Sequence, residues 1–276
     1  MTRSAPTAAR ATGPAAAGPT SNGRADGGTA GRHARNRVCA AAAVEAVAGP
    51  GGVTRFPVLA SQVPLVLRRT PSAVYLVGGA AGPIGGDRLE LRITVGAGAF
   101  LRLRTAAASI ALPGLDGLES ELRVIISVGA GGRLEYLPEP VVVADGARHA
   151  THLSVSLAAG AALLLRDELL LGRYGEDGGT ARSVLRADYD GHPLLRHAVQ
   201  VSGSDPVSRG PAVLAGHRAV GMLLRVGSTD AGSAPGTARR AAEQLAVAAL
   251  PLAGGAGELT VALADDAVTL RRRLSG

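Results

Sequence analysis

The sequence predicts a mainly β protein, an irregular solenoid of stacked strands with a small helical portion near its C-terminus. Three observations carry this expectation. One pattern recurs: Leu89 to Val95 before Gly96-Ala97-Gly98, Leu122 to Val128 before Gly129-Ala130-Gly131, and Leu153 to Leu157 before Ala158-Ala159-Gly160. Each copy is followed by a second alternating run, bearing Leu101 and Leu103, Leu134 and Tyr136, or Leu163 and Leu165. The offset is 33 residues from Val95 to Val128 and 29 from Val128 to Leu157, a repeat of the size of one β coil. Stacking such coils predicts one buried file of Val95, Val128 and Leu157 and a second of Leu91, Val124 and Leu153.

The elements follow in chain order. Residues 1–36 hold Pro6, Pro14 and Pro19 among Gly, Ala, Ser and Thr, with no apolar period, and are expected to be a disordered extension before a single β domain spanning 37–276. Such a composition cannot offset an ordering entropy of about 1–2 kcal/mol per residue. A chain beginning at Arg37 is therefore expected to keep the parent's melting temperature, and a large drop in a thermal melt would refute this.

Val38 to Val47 is Ala-rich and fits either a first strand or a short helix. Val63 to Arg68 and Val74 to Val77 read as strands, and Gly78 to Gly86 as a turn-rich link. The repeat runs from Asp87 to about Leu171, with Gly98, Gly131 and Gly160 at its corners. Ser183 to Asp190 and Leu194 to Val201 form a hairpin about Asp190-Gly191. Asp205-Pro206 is expected to open a helix through Leu214. Ala238 to Leu250 has the strongest helical composition, closed by Pro251. Glu258 to Leu263 and Ala267 to Leu270 read as closing strands.

Composition bounds the function. Hydrophobic residues make up 46% of the chain and aromatics 2%, with no Trp, so the core is built from Leu, Val, Ile and Ala. The net charge of +7 comes from arginine alone, since the chain contains no lysine. Nucleic acid is not the expected partner, because single-strand binders need aromatic stacking platforms that this chain lacks. An acidic protein partner fits the charge better. The single cysteine, Cys39, allows no internal disulfide and fits a reducing cytoplasm. No apolar run approaches the roughly 18 residues of a membrane span, so no membrane partner is expected.

No tight metal site is expected. His149 and His152 stand three apart on a strand and face opposite sides, and His192 and His197 flank Pro193. The chain has no Gly-x-Ser-x-Gly, no Walker loop and no dinucleotide-binding unit. Acids are sparse in the β region: Asp87, Glu135, Glu139, Asp145, Asp167-Glu168 and Glu176. Paired carboxylates leave open a carbohydrate-active β-solenoid enzyme, although such enzymes expose aromatic sugar platforms.

Five phrases occur in a telling order: Gly85-Gly86-Asp87-Arg88-Leu89, Arg104 to Ile110 (Arg-Thr-Ala-Ala-Ala-Ser-Ile), Leu134 to Val141 (Leu-Glu-Tyr-Leu-Pro-Glu-Pro-Val), Asp167 to Glu176, and Asp190 to Leu195. From about Val38 to its C-terminus the chain resembles the urease accessory protein family UreD, also called UreH. It departs from the family in having Thr105-Ala-Ala-Ala-Ser-Ile110 for Thr-Gln-Ala-Ala-Thr-Lys, and Tyr136 for Trp. The resemblance implies a non-enzymatic scaffold, solenoid-like with two helices, working with UreF, the GTPase UreG and apo-urease. It implies nickel in transit through an internal polar channel, with no tightly bound cofactor. Weak, spaced oxygen contacts suit such passage, because a tight site would trap the ion. Asp87, Glu139 and Glu168, then Glu176, are the expected passage residues. Leu245 and Leu250 are the expected contacts to a helical partner such as UreF.

Overall fold

The computed structural model describes residues 37–227 and 246–275; the expected extension over 1–36 and Leu245 lie outside them. Two sheets face each other. The first holds β1 (Cys39–Ala48), β2 (Thr54–Ala60), β5 (Arg88–Val95), β8 (Ser120–Val128), β11 (Arg148–Leu157), β13 (Thr180–Tyr189) and β14 (His192–Ser202), in the order β14-β13-β11-β8-β5-β1-β2. The second holds β3 (Leu65–Arg69), β4 (Val74–Gly78), β6 (Phe100–Thr105), β9 (Arg133–Leu137), β12 (Ala162–Leu171), β15 (Ala219–Val226), β16 (Val247–Pro251) and β17 (Gly257–Ala264), ordered β16-β17-β15-β12-β9-β6-β4-β3. Short strands β7 (Ser109–Ala111) and β10 (Val141–Val143) pair beside that path.

The chain winds between the sheets as the repeat predicts. From β5, β8 and β11 it turns a tight corner into β6, β9 and β12, then returns through a longer crossover. Gly98, Gly131 and Gly160 sit at these corners with φ between +64° and +71°. A Cβ at Gly98 or Gly131 would meet nothing within 4 Å, so backbone conformation, not space, selects glycine there. In the first sheet β1, β5, β8, β11 and β13 run parallel. Register places Val95 beside Val128 and Val128 beside Leu157, and Leu91 beside Val124 beside Leu153. All six are buried between the sheets, opposite Leu101, Leu103, Leu134, Leu163 and Leu165. Aliphatic side chains standing in register across strands fill this space without the aromatics the sequence lacks.

Three sequence expectations are corrected. The region read as the C-terminal end of the strongest helix is the strand β16, which pairs antiparallel with β17, so Leu250 lies on a strand and not on a helix face. Ala267 to Leu270 is not a strand: it opens the helix α2 (Ala267–Ser275), which buries Leu270 and Leu274 against Ala219, Leu223, Ala262 and Ala264. Asp266, which accepts from Thr269 N at 2.8 Å, caps this turn and selects helix over strand. The helix begun at Asp205-Pro206, α1 (Pro206–Arg209), ends after four residues, because Gly210 leaves helical geometry with ψ 164°. The ambiguous Val38 to Val47 segment is strand β1. Among the described residues no helix is long and apolar enough to cross a membrane.

Candidate functional site: an internal polar track

Strand alternation decides which side chains enter the space between the sheets. On β11, Leu153, Val155 and Leu157 point inward, and the same parity carries Thr151 and His149 inside. On β8, Val124, Ile126 and Val128 point inward, and so does Ser120. On β13, Leu185 and Ala187 are inward, followed by Ser183. On β12, Leu163 and Leu165 are inward and buried, followed by Asp167, which points the same way and is half-buried. Polar side chains thus line up where the apolar files end.

They form two hydrogen-bonded groups, set side by side where β11 pairs with β13. Ser120 Oγ lies 2.9 Å from His149 Nδ1, and Thr151 Oγ1 lies 3.3 Å from His149 Nε2. Thr151 is the register partner of Ser183, whose hydroxyl donates to Asp167 Oδ2 at 2.5 Å. Ser120, His149, Thr151 and Ser183 are each no more than 3% exposed. A buried polar group costs free energy unless paired, so each of the two groups is sustained by its own bonds.

The two ends differ. At the crossover end a cavity of about 490 Å³ is lined by Leu76, Pro83, Thr105 to Ile110, Leu122, His149 and Arg173. The segment that departs from the family's phrase forms part of this wall, and Ala106 to Ala108 make it apolar there. At the other end a space of about 30 Å³, the share of one water in the liquid, is lined by Asp167, His197, Met222 and Val261.

Burial pushes the His149 imidazole down to about 4, so it is neutral at pH 7 and offers one ring nitrogen as a lone-pair donor. Burial pushes the Asp167 carboxyl up to about 6, against the Ser183 hydrogen bond and with help from the Glu168 charge. Asp167 is the ionisable oxygen donor among these side chains.

The linkage has a defined sign. A carboxyl whose folded value is raised opposes folding when ionised, fully above about pH 6, and this cost fades as pH falls toward the ordinary value of 3.8. Asp167→Asn is expected to stabilise the chain at pH 7.5 by on the order of 1–3 kcal/mol. That corresponds to a melting temperature higher by about 2–4 °C per kcal/mol. At pH 4 the gain should vanish; an equal gain at both pH values in thermal melts would refute the assignment.

The acids singled out in the sequence are placed elsewhere. Asp87, 2% exposed, accepts from Val38 N and Ile84 N, each at 2.9 Å, and ties β1 to the crossover before β5. Glu176 accepts from Arg173 N at 2.9 Å and Asp145 N at 3.2 Å, and the Arg173 guanidinium beside it holds its carboxyl down to about 2. Glu139 and Glu168 are brought together on the outer face of the second sheet. Arg271 of α2 donates to Glu139 at 2.7 Å and to Glu168 at 3.1 Å, and Arg166 Nε lies 3.3 Å from Glu168. Asp167-Glu168 lies mid-strand in β12, which sends Asp167 inward and Glu168 outward beneath α2. His149 faces inward and His152 outward, toward Glu121 and Arg182, as their spacing requires. Leu250 is 49% exposed on β16.

The described residues form a two-sheet β scaffold with polar side chains at one end of its interior, in which Asp87, Glu139, Glu168 and Glu176 are held by arginines or backbone amides and Asp167 by a hydroxyl. The chain belongs to the UreD urease accessory protein family, whose model matches residues 39–275. It is 45% identical to a urease accessory protein UreD of Frankia alni over 88% of this chain and 93% of that protein. It is 43% identical to one of Parafrankia sp. (87% and 88%) and 43% identical to one of Streptomyces coelicolor (83% and 90%). It is accordingly a non-catalytic helper in urease maturation. That result sets aside the carbohydrate-active alternative.

Proposed function

We propose that this protein, in the cytoplasm and together with UreF and UreG, lets nickel pass to apo-urease along the track from His149 to Asp167. The observation that carries the reading is the set of buried hydroxyl and imidazole groups, with the half-buried Asp167 beside them, at the end of a mainly aliphatic core. An unpaired ion costs several kcal/mol in such an interior even after relaxation. A file of neutral hydroxyls with one imidazole and one carboxylate lowers that cost without a closed ligand set that would hold the ion. Asp87, Glu139, Glu168 and Glu176 take a lesser part in this reading, since arginines or backbone amides already match their charge.

The test is reconstitution of urease from apo-urease, UreF, UreG, this chain and nickel, with bound nickel measured by metal analysis. Asp167→Asn should slow nickel loading by about tenfold or more, the factor for 1.4 kcal/mol of barrier, with complex formation unchanged. Asp87→Asn/Glu139→Gln should lower loading less. A substitution that stabilises the fold while impairing transfer marks a functional and not a structural group. Normal loading by Asp167→Asn would overturn the route, and normal loading without this chain would overturn the function.

A further inference from the structure

The outer face of the second sheet is divided. α2 covers the part built by β12, β15 and β17, where Leu270 and Leu274 pack and Arg271 reaches Glu168. No helix among the described residues covers the part built by β3, β4, β6 and β9. There, strand parity sets Phe100, Arg102 and Arg104 of β6 outward. Arg133 and Glu135 of β9 lie on one side of them, and Tyr75 of β4 lies on the other, with Arg68 of β3 beside Tyr75.

The charge of this part is one-sided. Glu135 is the one acid in these four strands, and it is already matched: Arg102 donates to it at 2.8 Å and Arg104 at 2.9 Å. Arg68 is exposed, donates to Leu67 O at 3.1 Å and meets no carboxylate among the described residues. Neither stretch outside the described residues has net negative charge to offset the face. Residues 1–36 carry Arg3, Arg10, Arg24, Arg32 and Arg35 against Asp26, and 228–245 carry Arg239 and Arg240 against Asp230 and Glu243. A second copy of the chain, at net charge +7, is repelled as a whole. Nucleic acid fits poorly too, because the Phe100 ring that a base would stack on is faced by the guanidiniums of Arg102 and Arg133, each 5.5 Å from its centroid.

We propose that this bare, cationic half of the sheet is the docking face for an extended acidic segment of a partner protein, its carboxylates at alternate positions set against Arg102 and Arg104. Two residues of an extended chain advance about 6.6–6.8 Å, the same step that separates Arg102 from Arg104 along β6. Glu135 shows how a carboxylate sits between these two guanidiniums, and a partner carboxylate accepts from the N–H groups that Glu135 leaves over. Phe100 and Glu135 hold the Arg102 guanidinium in place before anything binds, which lowers the ordering cost of docking. The face locates the acidic protein partner that the net charge favours, and it does not depend on the nickel route.

Isothermal titration of the full chain with a peptide of alternating Glu and Ser, at about 50 mM salt where screening is weak, tests it. Binding with a Kd of about 100 µM or tighter is expected, and a peptide of alternating Lys and Ser should not bind. Arg68→Glu should weaken binding about tenfold and Arg68→Gln about threefold; the milder change keeps the test if the reversal disturbs β3. Arg186→Glu makes the same change in net charge at an exposed position on the outer face of the first sheet and should leave binding unchanged. No binding of the Glu-Ser peptide overturns the proposal. So does equal weakening by Arg68→Glu and Arg186→Glu, which would mean that net charge alone attracts the peptide. Tighter binding of a single-stranded oligothymidine, lost in Arg68→Glu, overturns it in favour of nucleic acid. Failure here leaves the nickel reading standing, since that is measured by the reconstitution above.

Discussion

Val128→Asp is expected to abolish the folded, soluble protein. Val128 is the middle member of its file, 3% exposed and flanked in register by Val95 and Leu157. The substitution removes apolar contact and places a carboxylate where the neighbours are aliphatic and cannot donate hydrogen bonds. An unpaired buried charge costs several kcal/mol, comparable to the whole stability of a domain, about 5–15 kcal/mol. Ser127→Asp is the control: its side chain lies one position along the same strand, exposed on the outer face. It should melt within a few degrees of the parent, as most surface substitutions do. A soluble Val128→Asp chain with the parent's melting temperature would mean that this strand face is not the core.

The contrast between neighbouring residues also explains what was legible in the sequence. Leu91, Val124 and Leu153 could be aligned from spacing because the corner glycines fix the phase of each coil, and a period of two admits one alignment. The same parity was enough to place the track. Counting two beyond Leu165 gives Asp167, and counting back from Leu153 gives Thr151 and His149. Charge alone does not separate Glu168 from Asp167, although strand parity points the two in opposite directions. The partners that neutralise Glu139 and Glu168 were not legible, because Arg271 is 132 residues from one and 103 from the other. The C-terminal errors have a local cause. Ala-rich composition favours a helix weakly, and pairing with β17 overrides it at Val247 to Pro251. In the other direction, the cap at Asp266 turns the strand-like Ala267-Val-Thr-Leu270 into helix.

Arg166→Met is the second substitution expected to have a large effect. The Glu168 side chain is fully buried beneath α2, and its Oε1 has no hydrogen-bond partner. Its ionised state depends on Arg166 and Arg271, which oppose the burial that pushes its carboxyl upward. Arg166 also donates to Pro138 O at 2.8 Å, so it braces β12 against the end of β9. Removing it leaves a buried carboxylate with one guanidinium, and breaking a buried pair costs on the order of 3 kcal/mol. The sign with pH follows from Glu168 itself. The deficit is full where Glu168 is ionised in the parent and shrinks as acid protonates it, because a neutral carboxyl needs no counter-charge. Urea unfolding at pH 7.5 and pH 5 should show the difference. Arg166→Met/Glu168→Leu should recover most of the loss, since an apolar pair can replace a buried ion pair at little cost. An equal deficit at both pH values, undiminished in the double variant, would show that Arg166 acts through packing and its bond to Pro138. In the expected case the Glu168 charge is spent on holding α2 to the sheet, whereas Asp167, one residue earlier, faces inward and is held by the Ser183 hydroxyl.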